Sequence, residues 1–158
     1  MRPTLFLSRR AVLGGTIGAT LLPHATAMAR ADLIYTRRFS DLGLNGHDPV
    51  AYATLGRPAE GARRFSTRWN DATWRFVSAE NRDAFAADPA RYAPQYGGYC
   101  AWATAKGYLA PGDPRFWRIV DGKLYVNYDG DVQLAWEKDV RGFIRSADAN
   151  WPFILEKN

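Results

Sequence analysis

The chain has 158 residues and a formal charge of +5, with one cysteine and two histidines. Three of its 21 basic residues but none of its 16 acidic ones fall in the first 29 positions, so the remainder sets 18 cations against 16 carboxylates, a net +2. That balance, with Arg37-Arg38 and Arg63-Arg64 the only basic doublets beyond position 29, excludes a phosphate-tracking stripe, and the single cysteine excludes a disulfide framework within the chain.

Residues 1–29 read as a cleavable export signal. Arg2, Arg9 and Arg10 make a positive start, Ala11 to Leu22 is an uncharged run rich in Gly and Ala, and Pro23 ends it. The run is too short for a membrane anchor, and small residues at Ala25, Ala27 and Ala29 predict cleavage after Ala27 or Ala29. Ser8-Arg9-Arg10-Ala11-Val12-Leu13 resembles the twin-arginine motif, whose export route carries proteins already folded. The expectation is a periplasmic protein, not an integral membrane protein once the signal is removed. A twin-arginine route also raises the expectation of something bound before export. The roughly 130 residues that follow suit one domain, 30–158, with one core.

Beyond the signal, the pattern through Phe39 predicts no element, and Gly43-Leu44-Asn45-Gly46 is a turn. Asp48 is placed to cap a short helix with Pro49 at its first position, since an aspartate accepts from exposed backbone N–H groups and proline has none to lose. Leu55 to Gly61 is loop. Arg63 to Val77 is a β-hairpin: Phe65, Thr67 and Trp69 alternate, Asn70-Asp71 turns, and Trp74 and Phe76 alternate on the return. Ser78 caps a helix over Ala79 to Ala87, which Asp88-Pro89 ends before a further turn through Tyr92.

The densest chemistry lies in Tyr92 to Trp102, with the cysteine, the Gly97-Gly98 pair and four aromatic rings. Tyr99 to Thr104 fits either a helical turn or an extended segment. Lys106-Gly107 and Ala110 to Pro114 are loop. A second hairpin runs from Arg115 to Val120, through the type I′ pair Asp121-Gly122, to Lys123–Tyr128. Helices follow over Val132 to Asp139 and Phe143 to Ala149, stopped by Trp151-Pro152. Two hairpins with short helices and no βαβ alternation predict the α+β class. No internal repeat and no low-complexity tract is read.

Asp48-Pro49-Val50-Ala51-Tyr52, Trp74 to Phe85, Asp88 to Tyr92, Tyr96 to Ala101 and Val120 to Tyr128 together resemble the exported YHS-domain proteins of bacteria, over about residues 43–152. YHS domains are named for a Tyr-His-Ser motif, and relatives attached to copper-transporting ATPases are associated with heavy-metal binding through cysteines. Here Trp74 and Arg75 stand at the named Tyr and His positions, Ser78 matches the Ser, and Val77 stands where metal-associated relatives carry cysteine. A guanidinium repels a cation and a valine cannot ligate one, so any metal site must use other residues.

Each candidate has a structural and a functional reading. Cys100 is either a ligand or redox thiol, lowered in pKa by backbone N–H groups freed at Gly97-Gly98, or a buried inert side chain. His47 is either a metal ligand or a surface loop residue. The two are too few for a closed zinc site and suit a soft, copper-like ion, with Asp48 and Asp113 as added carboxylates. Tyr96, Tyr99, Trp102 and Trp74 either line a small-molecule pocket or fill the core, alongside Trp69, Trp117 and Tyr125. A Cys100–His47 dyad is the one nucleophilic arrangement the residues allow. Together these predict a non-enzymatic periplasmic binding protein for a metal ion or small molecule near Gly97 to Trp102. The alternatives are a module docking onto a membrane or periplasmic protein partner through exposed aromatics, and a thiol-dependent redox sensor or enzyme.

Overall fold

The computed structural model describes residues 32–157, so the export signal read at 1–29 lies outside the described residues. Within them the chain is an α+β domain with two antiparallel hairpins and six α-helices. In order these are α1 (Ala51–Thr54), β1 (Ala62–Trp69), β2 (Ala72–Phe76), α2 (Ala79–Ala87), α3 (Pro89–Tyr92), α4 (Ala101–Ala105), β3 (Asp113–Val120), β4 (Lys123–Asn127), α5 (Gly130–Glu137) and α6 (Val140–Asn150). No helix among the described residues is long and apolar enough to cross a membrane.

Both hairpins form where the turn residues place them. Asn70 and Asp71 (φ 47° and 61°), like Asp121 and Gly122 (φ 50° and 76°), adopt the left-handed conformation that a two-residue turn between twisted strands requires. Ser78 accepts from the Asn81 N–H at 3.2 Å and starts α2. Several boundaries differ from expectation because capping carboxylates set them. Asp129 accepts from the Val132 N–H and starts α5 at Gly130, while Asp139 accepts from the Gly142 N–H and starts α6 at Val140. Tyr99 is extended and α4 begins at Ala101, which resolves the ambiguous segment.

An internal repeat is present, contrary to the sequence reading. Adding 51 to the starts of β1, β2, α2 and α3 gives the starts of β3, β4, α5 and α6. Strand registers match pair for pair: Ser66 faces Arg75 as Trp117 faces Val126, and both hairpins carry an irregularity at the same step, Ala62/Ser66 and Asp113/Trp117. The caps match too, Ser78 with Asp129 and Asp88 with Asp139. Arg64 lies over the Phe65 ring as Arg115 lies over Phe116. The repeat escapes notice because, over residues 62–92, only Arg64, Phe65, Ala84 and Asp88 are identical to their counterparts. What persists is physical: buried aromatics Trp74 and Tyr125, and Phe85 and Trp136.

Each repeat begins with a tight turn, at an offset of 52. Leu44 and Asn45 (φ 49° and 53°) match Tyr96 and Gly97 (φ 55° and 62°), followed by Gly46 and Gly98 at φ 82° and 84°. His47 then bridges Glu60, as Tyr99 bridges Pro111. The Asp48 N–H donates to the Ala59 carbonyl at 2.9 Å and the Cys100 N–H to the Ala110 carbonyl at the same distance.

The repeats share a core through β4. Leu124 and Val126 join Val50, Tyr52, Trp74, Phe76 and Phe85 in one cluster, while Tyr125 points the other way into a second cluster with Tyr96, Trp136 and Ala147. Burial on both faces explains why β4 carries no polar alternation until Asn127.

Candidate functional site

The repeat makes Cys100 the counterpart of Asp48, and the two differ in how their surroundings are filled. Asp48 is fully buried, accepting from the N–H groups of Val50 (2.8 Å), Ala51 (3.2 Å) and Val77 (2.9 Å) and from Asn81 Nδ2 (2.7 Å). It therefore does more than cap α1: it ties the start of that helix to the end of the first hairpin. Around Cys100 the N–H groups at the matching positions, Trp102, Ala103 and Tyr128, draw the thiol's pKa down. Burial acts more strongly and pushes it up, with the Asp129 carboxylate adding to the rise. Cys100 is thus a protonated thiol at neutral pH, and the N–H groups that stabilise its anion come from α4 and the strand end rather than from Gly97-Gly98. Its Sγ lies 3.6 Å from Asn127 Oδ1, which also accepts from the Trp102 N–H at 3.1 Å.

The counterpart of Asn81 is Val132, which carries no amide to fill the second cradle. Here the structure leaves a cavity of about 230 Å³, lined by Cys100, Trp102, Ala103, Tyr108, Ala110, Tyr128 and Val132. Three aromatic side chains, three aliphatic ones and a neutral thiol make it an apolar pocket with few polar groups, the ordinary character of a small-molecule site. Tyr108 meets Trp102 edge-on at 6.4 Å, and Lys106 Nζ lies over the Trp102 ring at 5.5 Å from its centroid.

Of the residues singled out from sequence, Cys100 and Trp102 share this cavity. His47 does not line it; it sits at the matching turn of the other repeat, partly buried, with Nδ1 buried and unpartnered. Tyr96, Tyr99 and Trp74 are core residues. The Tyr96 hydroxyl donates to Asp148 Oδ1 at 2.8 Å, the Tyr99 hydroxyl to the Asp32 carbonyl at 3.0 Å, and Trp74 Nε1 to the Trp69 carbonyl at 3.1 Å. Burial pushes the Tyr99 phenol up to about 12 and Tyr96 above the usual phenol range. Asp113 is held by Arg115 through a 2.7 Å ion pair, which lowers its pKa. Among the described residues no group of three or more His, Cys, Asp or Glu side chains is placed to hold a metal ion. This donor set does not fit a resident metal. Of the three residues that the sequence reading set against the Tyr-His-Ser letters, Trp74 is buried, Ser78 caps α2, and Arg75 has its Nε buried without a partner.

Tyr108, Tyr128, Ala110 and Val132 escaped the sequence reading because they come from three separate segments. The Ser78–Asp129 and Asp88–Asp139 spacing of 51 was the available signal, since it aligns Asn81 with Val132 and, with one more residue at the tight turns, Asp48 with Cys100. Comparisons with family models, curated proteins and solved structures find no match for this chain.

Proposed function

We propose that this chain is an exported, YHS-like binding protein without catalytic activity, and that its ligand is a small apolar or flat molecule held beside Cys100. The observation that carries this reading is the 230 Å³ pocket where the first repeat has an internal hydrogen-bond network. Cavities of roughly 150 Å³ already admit a benzene ring, so one aromatic ring fits. A neutral thiol suits such a guest as a weak, polarizable contact. The resemblance of the ordered blocks to exported YHS proteins, and the signal expected at 1–29, support a periplasmic setting.

The test is NMR titration of isotope-labelled protein with p-cresol, beside native mass spectrometry of protein purified from its own periplasm. Saturable shifts at Ala103, Ala110 and Val132, abolished in Val132→Trp, are expected. Shifts absent in the wild type, or unchanged when the pocket is filled, would remove this reading.

An interaction module is the second reading, favoured by exposed Tyr108, Tyr128 and Leu134. It predicts a pulled-down periplasmic partner whose capture is lost in Leu134→Asp and unaffected by Val132→Trp.

A further inference from the structure

A larger cavity, of about 420 Å³, adjoins the Cys100 pocket, and Tyr128 lines both. Two further observations join them. Pro111 of the larger cavity follows Ala110 of the smaller one, and the Asp129 carboxylate, which lines the larger, acts on the Cys100 thiol in the smaller. The apolar pocket therefore continues into a polar one, whose charged and amide groups are Arg37, Asn45, Asp113, Arg115 and Asp129.

These groups are only partly spent on one another. Arg115 grips Asp113 at two points, Nε to Oδ1 at 3.0 Å and Nη2 to Oδ2 at 2.7 Å, and the charge of Arg37 adds to the lowering of that carboxyl's pKa. Two guanidiniums against one carboxylate leave one positive charge over. Asp129 supplies the opposite charge: its Oδ1 accepts from the Val132 N–H at 2.8 Å, and its Oδ2 accepts from no group among the described residues. Neither Asp129 nor Arg37 is in an ion pair among the described residues. The Asn45 Oδ1 is buried and also lacks a hydrogen-bond partner among them, which leaves an acceptor unused in the same lining. The cavity thus holds one spare cation and one spare carboxylate, and its formal charge sums to zero.

The first repeat shows that the fold does not require this set. At the positions of Asp113, Tyr128 and Asp129 it has Ala62, Val77 and Ser78. Ser78 caps α2 through a hydroxyl as Asp129 caps α5 through a carboxylate, so capping alone calls for no charge at 129. The apolar half is missing there too, since the Asn81 amide occupies the matching space and donates to Asp48. An open ring pocket and a spare carboxylate therefore occur together in the second repeat only.

We propose that the two cavities together bind a free α-amino acid with an aromatic side chain, its ring beside Cys100, its ammonium on Asp129 and Asn45, and its carboxylate on Arg37. The proposal rests on the reading of the Cys100 pocket as a ring site and names the class of molecule that the site takes. A zwitterion matches charges that already cancel. A simple amine would leave Arg37 unmatched, and a simple carboxylate would leave Asp129 so. An ammonium has only donors to offer, which suits the two unused acceptors, and the planar guanidinium fork suits a carboxylate. Tyr128, common to both cavities, keeps ring and head group one short link apart.

The experiment is an NMR titration of the isotope-labelled chain at pH 7 and fixed ionic strength with L-phenylalanine, phenethylamine, 3-phenylpropionate and p-cresol. Asp129→Asn keeps a residue that caps helices as well as aspartate does, and Arg37→Gln alters an exposed side chain, so both variants retain the fold. Phenylalanine is expected to give saturable shifts at Val132 and Ala103 and also at Arg37 and Asn45, and to bind at least about tenfold tighter than each of the other three. Each variant should weaken phenylalanine by at least about tenfold and leave p-cresol unchanged. The proposal is overturned if phenethylamine or 3-phenylpropionate binds as tightly as phenylalanine, if both variants bind phenylalanine like the wild type, or if its shifts are confined to one cavity. Saturable p-cresol binding with phenylalanine no tighter overturns this proposal and leaves the ring site standing, whereas no binding of either removes both.

Discussion

Asp48 and Cys100 occupy one structural position and do opposite things with it. The carboxylate accepts four hydrogen bonds in the interior, so removing it strands three backbone N–H groups and the Asn81 amide. Asp48→Ala should therefore cost about 3 kcal/mol, near the upper range for breaking a buried network. Cys100→Ala removes one sulfur beside an existing cavity and should cost about 1 kcal/mol. Urea unfolding of the two variants checks this, and a loss at Asp48 no larger than at Cys100 would show that the carboxylate's bonds contribute no net stability. The residue types at 48 and 100 were visible in the chain, but their equivalence was not. An aspartate and a cysteine share no composition signal, and only superposable turns relate them.

At the level of elements, the same contact recurs where each tight turn meets its hairpin. The Gly61 N–H donates to the Gly46 carbonyl at 2.9 Å, and a Cβ on Gly61 would overlap the Arg75 backbone. A Cβ on Gly112 would overlap the Gly98 carbonyl oxygen and Val126. Neither glycine is needed for a positive φ; each is needed for close approach. Gly61→Ala and Gly112→Ala should each destabilise by about 2 kcal/mol or more, because the obstruction is backbone. Gly122→Ala, with open space around its Cβ, should cost only about 1 kcal/mol for its positive φ. Thermal melts of the three variants rank them, and a Gly122 variant as unstable as the other two would refute the close-approach argument. Turn pairs and caps made most elements legible in the chain. The starts of α5 and α6 were not, because Asp129 and Asp139 cap residues that carry no apolar period.

For the whole molecule, buried acids that ionise at high pH set the alkaline limit. Burial raises the Cys100 thiol from an ordinary value near 9 and pushes Tyr99 and Tyr125 from about 10 up to about 12. Since each folded-state pKa lies above its unfolded value, the unfolded chain releases these protons first as pH rises. Their contribution to stability is complete below about pH 9 and is lost as pH climbs toward 12. Urea midpoints should hold steady from pH 7 to 8.5 and decline steadily above pH 9, with a shallower decline in Tyr99→Phe. A midpoint unchanged up to pH 11 would contradict the burial of these groups. The order of strands, turns and helices was determined by the sequence alone, because those signals are local: paired turn residues, caps, alternation over a few positions. The pairing of Cys100 with Tyr108, Tyr128 and Val132 was decided only by the tertiary structure. That pocket lies where one repeat differs from its counterpart in side chains set apart along the chain, and such a difference has meaning only once the two backbones are seen to match.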